Sequence, residues 1–343
     1  MKQIQAKAEP VKQPGDQPLS LEKIGVILVN LGTPAASDPR SVGRYLREFL
    51  SDPRVVEIPR LFWWCLLNFF IVPLRSRKVS ENYRSIWLDE GSPLKVITKR
   101  QVTALQSILE NNSEQEFITT YAMTYGEQSI SHNVRSLGQQ GADKIVVLPL
   151  FPQYSASTTA AVYDQLADLV KGYRHIPDIR IVHHYYDSPS YIDALADSVR
   201  QHWQENGQAE CLLMSFHGIP KKYVDQGDPY YLQCLETARA LSLRLGLSSQ
   251  QWAFSFQSRF GRLEWVKPYT DQVLEVWGRR GLESVDVVCP AFSSDCLETL
   301  EEINQVNRQL FLQAGGKKFS MIPCLNDSPL HIKMLKELVY SRL

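Results

Sequence analysis

Short runs of β-branched and other apolar residues recur along this chain, most of them followed by turn residues and then by a stretch with helical periodicity. Strands that helices cover on both faces have this composition, because neither face of such a sheet meets water. The pattern therefore predicts parallel strands in an α/β fold. The predicted strands are 25–30, 117–123, 144–150, 179–184, 211–216, 252–256, 285–289 and 319–323.

These strands divide into two groups of four, which predict one lobe over 24–195 and a second over 196–328. The segment 329–343 has apolar residues at helical spacing and can pack on either half; we assign it to the first lobe. A chain of 343 residues can bury two cores. We therefore expect two similar doubly wound lobes, each a four-stranded parallel sheet flanked by helices, with the active site in the cleft between them.

Charge and cysteine content narrow the class of protein. The 37 Lys and Arg residues balance the 37 Asp and Glu residues, which argues against a nucleic-acid partner because such binders carry an excess of basic residues. The six cysteines form no Cys-x-x-Cys pair, which is typical of reduced thiols in an intracellular protein. Residues 1–23 are polar, with no apolar core of signal-peptide length, and predict a disordered tail on a cytoplasmic protein.

One dense apolar segment, 61–72 (LFWWCLLNFFIV), tests the expectation of a soluble protein. It is too short to cross a bilayer as a helix, which takes about 20 residues. Two interpretations are open: a core helix, or an exposed apolar lip that holds a flat ligand or contacts a membrane surface. Basic residues flank the segment, with Arg60 before it and the cluster 75–78 (RSRK) after it.

Ligands of open parallel α/β sheets bind outside the carboxyl ends of the strands. The candidate segments are therefore 31–34, 151–155, 217–220, 257–261 and 290–302. Of the seven histidines, only His217 directly follows a buried-strand run and precedes a glycine and a proline. Its imidazole can face the cleft, or it can simply bond to a backbone carbonyl at the strand end. No dinucleotide-binding, P-loop or nucleophile-elbow motif follows any strand, which disfavours nucleotide-dependent and serine-hydrolase chemistry.

A second candidate is the acidic segment 293–303 (SSDCLETLEEI). One interpretation is an ordinary helix start with a capping residue. The spacing of Asp295, Glu298 and Glu302 also predicts an acidic row along one face of an α-helix. Crowded carboxylates attract cations or protons, so the row could carry metal inward or protons outward. His217 with one carboxylate would suit a borderline metal such as Fe²⁺, held weakly enough to be released.

Several motifs, taken together, resemble the ferrochelatase family in its proteobacterial form over about 24–339. The resemblance implies a lyase that inserts Fe²⁺ into protoporphyrin IX with release of two protons, the terminal step of haem biosynthesis. It implies these two substrates and no permanently bound cofactor. The cysteine-rich extension of animal relatives has no counterpart here, so we expect no 2Fe–2S cluster. The motifs are VNLGTP at 29–34, FLSDPRVVEIPR at 49–60, PLRSRKV at 73–79, GSPL at 91–94, LPLFPQYSAST at 148–158, SFHGIP at 215–220, FQSRFG at 256–261 and CPAFSSDCLETLEEI at 289–303.

The resemblance also implies roles for single residues. His217 matches the metal-binding catalytic histidine and Glu298 the facing glutamate, with Asp295 and Glu302 extending the acidic row. The segment 61–72 matches the hydrophobic lip over the pocket, which in membrane-associated relatives faces the bilayer. The positions that hold porphyrin propionates are matched by Arg75, Tyr83 and Ser92, and those that sandwich the macrocycle by Leu31, Met123 and Trp265.

Some alternatives stay open at this point. One is a chelatase for another tetrapyrrole, such as coproporphyrin III, or for another metal; a second is a non-catalytic carrier of haem or metal. Whether His217 acts as base or as metal ligand is also open. We expect a monomeric cytoplasmic protein, with peripheral contact between 61–72 and the inner face of the membrane.

Overall fold

The computed structural model describes residues 22–111, 115–261 and 263–343, so most of the polar segment 1–23 lies outside the described residues. Eight strands form two parallel sheets of four strands each. The strands are β1 (Lys23–Thr33), β2 (Glu116–Gly126), β3 (Lys144–Pro149), β4 (Asp178–Ile181), β5 (Cys211–His217), β6 (Trp252–Gln257), β7 (Ser284–Val288) and β8 (Lys318–Met321).

The sheets are flanked by α-helices and by two π-helical segments, which we call π1 (Leu67–Ile71) and π2 (Glu298–Asn307). The α-helices are α1 (Pro39–Ser51), α2 (Arg60–Leu66), α3 (Val72–Ile86), α4 (Pro93–Glu110), α5 (Ile130–Gln139), α6 (Thr159–Val170), α7 (Pro189–Asn206), α8 (Lys221–Asp225), α9 (Tyr230–Leu245), α10 (Thr270–Arg279), α11 (Arg308–Gln313) and α12 (Pro329–Tyr340).

The two sheets have the same strand order, β2-β1-β3-β4 in the first and β6-β5-β7-β8 in the second. This confirms the predicted α/β class and the pair of four-stranded parallel sheets. The strands β4 and β8 are shorter than predicted, and both are edge strands that pair on one side only. The neighbour of β4 ends at Pro149, which has no N–H with which to continue the ladder.

A central core lies between the two sheets, and each sheet has a further core on its outer face. Alternate residues of β1 divide between two of them: Val26 and Leu28 belong to the central core, whereas Ile27 and Val29 pack on the other side. The strand β1 is therefore buried on both faces, which explains why its sequence is apolar without alternation.

Two helices connect the halves of the molecule. The boundary predicted at residue 195 lies within α7, so the chain passes from the first sheet to the second along one continuous helix. This helix packs against α9 and α12, and α12 packs against α4 as well. The carboxyl ends of β1, β2, β5 and β6 carry the residues described next.

Candidate active site

His217 is the last residue of β5 and is partly buried. Its Nδ1 lies 2.6 Å from the carbonyl oxygen of Gly218. Because a carbonyl can only accept, Nδ1 carries the proton and the lone pair of Nε2 is left free. Burial lowers the pKa of His217, and the negative charge of Glu298 partly opposes that shift. The ring is therefore neutral at pH 7 and able to accept a proton or to coordinate a metal.

The end of β6 holds His217 in place. Gln257 is the register partner of His217, and its carbonyl accepts a 2.8 Å hydrogen bond from the N–H of Gly218. A Cβ atom at Gly218 would lie 2.9 Å from the carbonyl oxygen of Gln257 and 3.1 Å from Cε3 of Trp265. Glycine is therefore required at this position by the close approach of β6 and of the Trp265 ring.

Glu298 is the first residue of π2 and lies near His217, where its charge acts on the imidazole. Its backbone carbonyl accepts a 2.8 Å hydrogen bond from Nε2 of Gln257. The hydroxyl of Ser215 donates to Oε1 of the same amide at 2.7 Å, so the orientation of the Gln257 side chain is determined. Insertions of π-helix occur frequently at functional sites, and the ten-residue segment π2 begins at the glutamate expected to face His217.

The prediction of three carboxylates along one α-helical face is wrong for Asp295. Asp295 precedes π2 and is buried, and its carboxylate accepts hydrogen bonds from Nδ2 of Asn326 at 2.7 Å and from Oγ1 of Thr299 at 3.0 Å. Glu298 and Glu302 do lie on the same helix, but that helix is π rather than α. Residue spacing alone does not distinguish the two helix types, because π-helices are rare and have no strong sequence signature.

Glu302 is held by Ser258 at the end of β6. Its carboxylate accepts a 2.7 Å hydrogen bond from the Ser258 N–H and another from the Ser258 hydroxyl. Burial raises the pKa of Glu302 to about 7, and the charges of Glu298 and Glu301 add to this effect against the Ser258 hydrogen bonds. Glu302 therefore exchanges its proton near neutral pH.

The residues predicted to sandwich a macrocycle lie at the carboxyl ends of the two sheets. Met123 pairs with Asn30 in the register of β1 and β2, and Leu31 follows at the half-exposed end of β1. On the other side Trp265 is buried, and its Nε1 donates a 3.0 Å hydrogen bond to the carbonyl of Phe260. Of these three residues, Trp265 is placed next to the active-site strand end, because its ring lies against Gly218.

The residues predicted to hold propionates are in three different environments. Arg75 is exposed on α3, with its guanidinium carbon 5.7 Å from the centre of the Phe260 ring. Tyr83 is buried, and burial raises its pKa, an effect to which the neighbouring Tyr45 and the negative charge of Glu298 add. Ser92 is buried as the N-cap of α4, where its hydroxyl accepts from the N–H of Lys95 at 3.3 Å. Arg75 is therefore the one residue of these three with a fully exposed charge.

The segment 61–72 has one buried and one exposed side. Trp63 is 6% exposed, and its Nε1 donates a 2.6 Å hydrogen bond to the carbonyl of Leu50. Leu61 is 79% exposed and Trp64 is 54% exposed, and Phe62, Phe69, Phe70 and Leu74 are exposed with them. We call these six side chains the apolar lip. No described helix is long and apolar enough to cross a membrane.

Sequence reasoning did not single out Gln257, Ser258 or Asn326. The first two lie in the segment 257–261, which was a candidate as a strand end and as part of the FQSRFG motif, with no role given to either residue. Their polar side chains carry no chemical signature that distinguishes them from surface residues. Among the described residues, no group of three or more His, Cys, Asp or Glu side chains is arranged to hold a metal ion.

A family model described as Ferrochelatase matches residues 23–343. Curated relatives named Ferrochelatase include one from Aromatoleum aromaticum, 51% identical over 322 residues that cover 94% of this chain and 88% of the relative. Another, from Aliivibrio fischeri, is 48% identical and covers 94% of this chain and 98% of the relative.

Solved structures with a similar fold include SirB from Bacillus subtilis with Fe³⁺, with a TM-score of 0.54 and 12% identity over 93% of this chain and 95% of that one. The structure of CbiX, the terminal enzyme of sirohaem biosynthesis in denitrifying bacteria, has a TM-score of 0.50 and 14% identity over 93% of this chain and 99% of that one. Identity this low shows the fold alone. The family model and the curated relatives, which extend over nearly the whole chain, show that it belongs to the ferrochelatase family.

Proposed function

We propose that this protein is a lyase that inserts Fe²⁺ into protoporphyrin IX, with release of two protons, to form protohaem, and that His217 and Glu298 carry the reaction. The observation that supports these residues best is a neutral imidazole with a free Nε2 beside the first carboxylate of π2. Fe²⁺ and the porphyrin are both substrates.

The metal can enter the ring only as the two pyrrole protons leave. His217 Nε2 accepts the two pyrrole protons one after the other and releases the first before it takes the second, because the other ring nitrogen already donates to the carbonyl of Gly218. A single lone pair cannot bind Fe²⁺ at the same moment, so His217 acts as the base in this step. The carboxylate of Glu298 stabilises the imidazolium that forms, since its charge already raises the pKa of His217 against burial.

Glu302 is suited to carry protons away from the ring. Its pKa of about 7 allows it to gain and lose a proton at similar cost near neutral pH. It lies on the same helix as Glu298 and lines a cavity of about 520 Å³ together with Ser258, Asp271 and Asn307.

The macrocycle lies between apolar residues of the two sheets, with Leu31 and Met123 on one side and Trp265 on the other. Free pyrrole nitrogens lie in the plane of the ring, so the ring must buckle before a metal can reach their lone pairs. Contacts remote from the nitrogens can hold the porphyrin in that strained form. Arg75 is exposed beside Phe260 and binds a propionate at the mouth of the cleft.

The remaining features complete the proposal. The first lobe comprises 24–195 with 329–343 and the second comprises 196–328, each built on one sheet. The protein acts as a cytoplasmic monomer, and the apolar lip rests on the inner face of the membrane, where the apolar ring of the porphyrin partitions.

The activity is tested by mixing the protein anaerobically with protoporphyrin IX and Fe²⁺, or with Zn²⁺ as a surrogate, and following metalloporphyrin absorbance. The wild-type protein turns over many times, His217→Ala loses at least about 100-fold in kcat, and the exposed-histidine control His175→Ala keeps full activity. A wild-type protein that forms no product contradicts the function. Full activity in His217→Ala contradicts the assignment of the base.

The same assay separates the alternatives. Coproporphyrin III is offered beside protoporphyrin IX, and a higher kcat/KM for coproporphyrin III would change the substrate assignment. A single turnover with haem retained on the protein would instead indicate a carrier.

A further inference from the structure

The turn that leads into π2 from β7 is held by a residue that follows the neighbouring strand, β8. Asn326 follows β8, and its Oδ1 accepts a 2.8 Å hydrogen bond from the N–H of Asp295. Its Nδ2 donates to Oδ2 of Asp295 at 2.7 Å, and its own N–H donates to the carbonyl of Ser293 at 3.0 Å. One side-chain amide therefore binds both the backbone and the carboxylate of Asp295.

The backbone of Asn326 explains why an asparagine suits this position. Its φ is +46°, in the left-handed region, which asparagine tolerates better than most side chains. Glycine would adopt the same backbone but would lack the amide. Aspartate would keep an oxygen for the N–H of Asp295 but would place a second carboxylate against the first.

The contact continues from Asp295 into the first turn of π2. Oδ1 of Asp295 accepts a 3.0 Å hydrogen bond from Oγ1 of Thr299, which is fully buried and directly follows Glu298. The same hydroxyl accepts from the N–H of Cys296 at 3.0 Å. The amide of Asn326 is thus connected, through Asp295 and Thr299, to the residues on both sides of Glu298.

Asn326 is itself anchored to the helices that join the two halves. Its carbonyl accepts a 3.0 Å hydrogen bond from Nε2 of Gln101 on α4 and lies 2.6 Å from Nδ1 of His331 on α12. Both of these side chains are buried. The residue therefore has a rigid support, as a group that orients another side chain requires.

We propose that Asn326 is a positioning residue: its amide holds Asp295 and, through Thr299, sets where the carboxylate of Glu298 lies relative to His217. This role rests on the proposed functions of those two residues. Asn326 contacts neither substrate, so its loss lowers the rate of insertion and leaves porphyrin binding unchanged.

The test measures kcat and KM for protoporphyrin IX with Zn²⁺ in Asn326→Asp and in the swapped pair Asn326→Asp with Asp295→Asn. The single variant loses about 10-fold or more in kcat with KM unchanged, in the range typical of groups that orient a ligand. The swapped pair recovers most of the lost rate, because it restores one donor and one acceptor between the two side chains and keeps an oxygen for Thr299. Asn206→Asp, at the exposed end of α7, is the matched control for the added charge and keeps the wild-type rate.

Asn326→Gly keeps the left-handed backbone without the amide. It replaces Asn326→Asp in the test if the thermal melt shows that Asn326→Asp does not fold. It shows the same fall in kcat at unchanged KM. The proposal is overturned if folded variants keep the wild-type kcat, if KM rises in place of the fall in kcat, or if the swapped pair is as slow as the single variant. A wild-type protein without activity would overturn the proposed function as well, whereas an active wild type with any of those results overturns only the role of Asn326.

Discussion

Gln257 joins the two residues proposed to react: its backbone pairs with His217 in the register of β5 and β6, and its Nε2 donates a 2.8 Å hydrogen bond to the carbonyl of Glu298. The side chain is buried, and its other end accepts from the Ser215 hydroxyl. One residue that carries no charge thereby spans the end of a strand and the start of π2. Gln257 therefore helps to set the distance between the imidazole of His217 and the carboxylate of Glu298.

Replacing Gln257 by Leu should therefore slow the reaction and destabilise the fold. The change leaves the buried Ser215 hydroxyl without that acceptor and removes the bond to Glu298, so we expect a loss of about 1–3 kcal/mol in the free energy of unfolding. We also expect kcat to fall about 10-fold or more. Urea unfolding and steady-state assays measure both. Gln140→Leu, at an exposed helix end, should change neither; a wild-type kcat in Gln257→Leu would contradict the positioning argument.

Gly218→Ala should disturb the active site through packing alone. The added methyl group would lie 2.9 Å from the Gln257 carbonyl oxygen, which belongs to the backbone and cannot rotate away. Overpacking of this kind costs about 1–3 kcal/mol. Gly138→Ala is the control, since a methyl group there meets no atom within 4 Å and Ala favours its helix. Equal stability changes in the two variants, measured by urea unfolding, would contradict this account.

Glu302 should make stability depend on pH near neutrality. Its folded pKa of about 7 lies above the ordinary value of 4.5, so the folded state binds the proton more tightly than the unfolded state does. The contribution is favourable to folding at low pH and is lost as pH rises through 7. Glu302→Gln should therefore gain stability relative to wild type at pH 8 and show a smaller gain at pH 5. Thermal melts at the two pH values test this, with the exposed Glu337→Gln as control; a difference that does not change with pH would contradict it.

His217 should limit the reaction on the acid side. Burial lowers its pKa below the ordinary 6.5, so the ring stays neutral to more acidic pH than a free histidine does. As a base it must be neutral, and kcat/KM, which reports the substrate-free enzyme, should therefore fall only below about pH 6.5. The free energy of unfolding should also fall as the pH drops below 6.5, because a His217 pKa that is lower in the folded state makes protonation favour the unfolded state. A kcat/KM that already declines with falling pH above 7 would contradict a lowered pKa of His217.

The apolar lip should bind membranes through its exposed side only. Trp64→Glu with Phe69→Glu should abolish flotation with liposomes that contain anionic lipid, while the folded protein keeps its thermal stability because both side chains face solvent. Trp63→Ala is the contrasting variant, because Trp63 is buried, and it should cost about 3–5 kcal/mol in the free energy of unfolding. Wild-type protein that does not float with the liposomes would contradict membrane contact.

The strands could be predicted from the sequence because burial on both faces of a sheet requires short runs of apolar, β-branched residues. A strand occurs at each of the eight predicted segments, although the edge strands β4 and β8 are more polar and shorter than predicted. Helix type was not predictable in the same way. Asp295, Glu298 and Glu302 are spaced by three and four residues, as on one face of an α-helix, but the segment forms a π-helix that begins at Glu298. The choice between a core helix and an exposed lip for 61–72 was also undecided, because composition does not show which side of a helix another element covers.

What the amino-acid sequence by itself determined is the fold class, the family, and the residue types able to do chemistry. These follow from local burial patterns and from motifs that are read one segment at a time. Only the tertiary structure decided that Nε2 of His217 is free, that Gln257 binds the first residue of π2, and that Asn326 holds Asp295 from beyond β8. The first of these contacts joins His217 to the backbone of the next residue, and the other two join residues that are far apart in the chain. Their proximity arises from the packing of strand ends against π2, which no local pattern records.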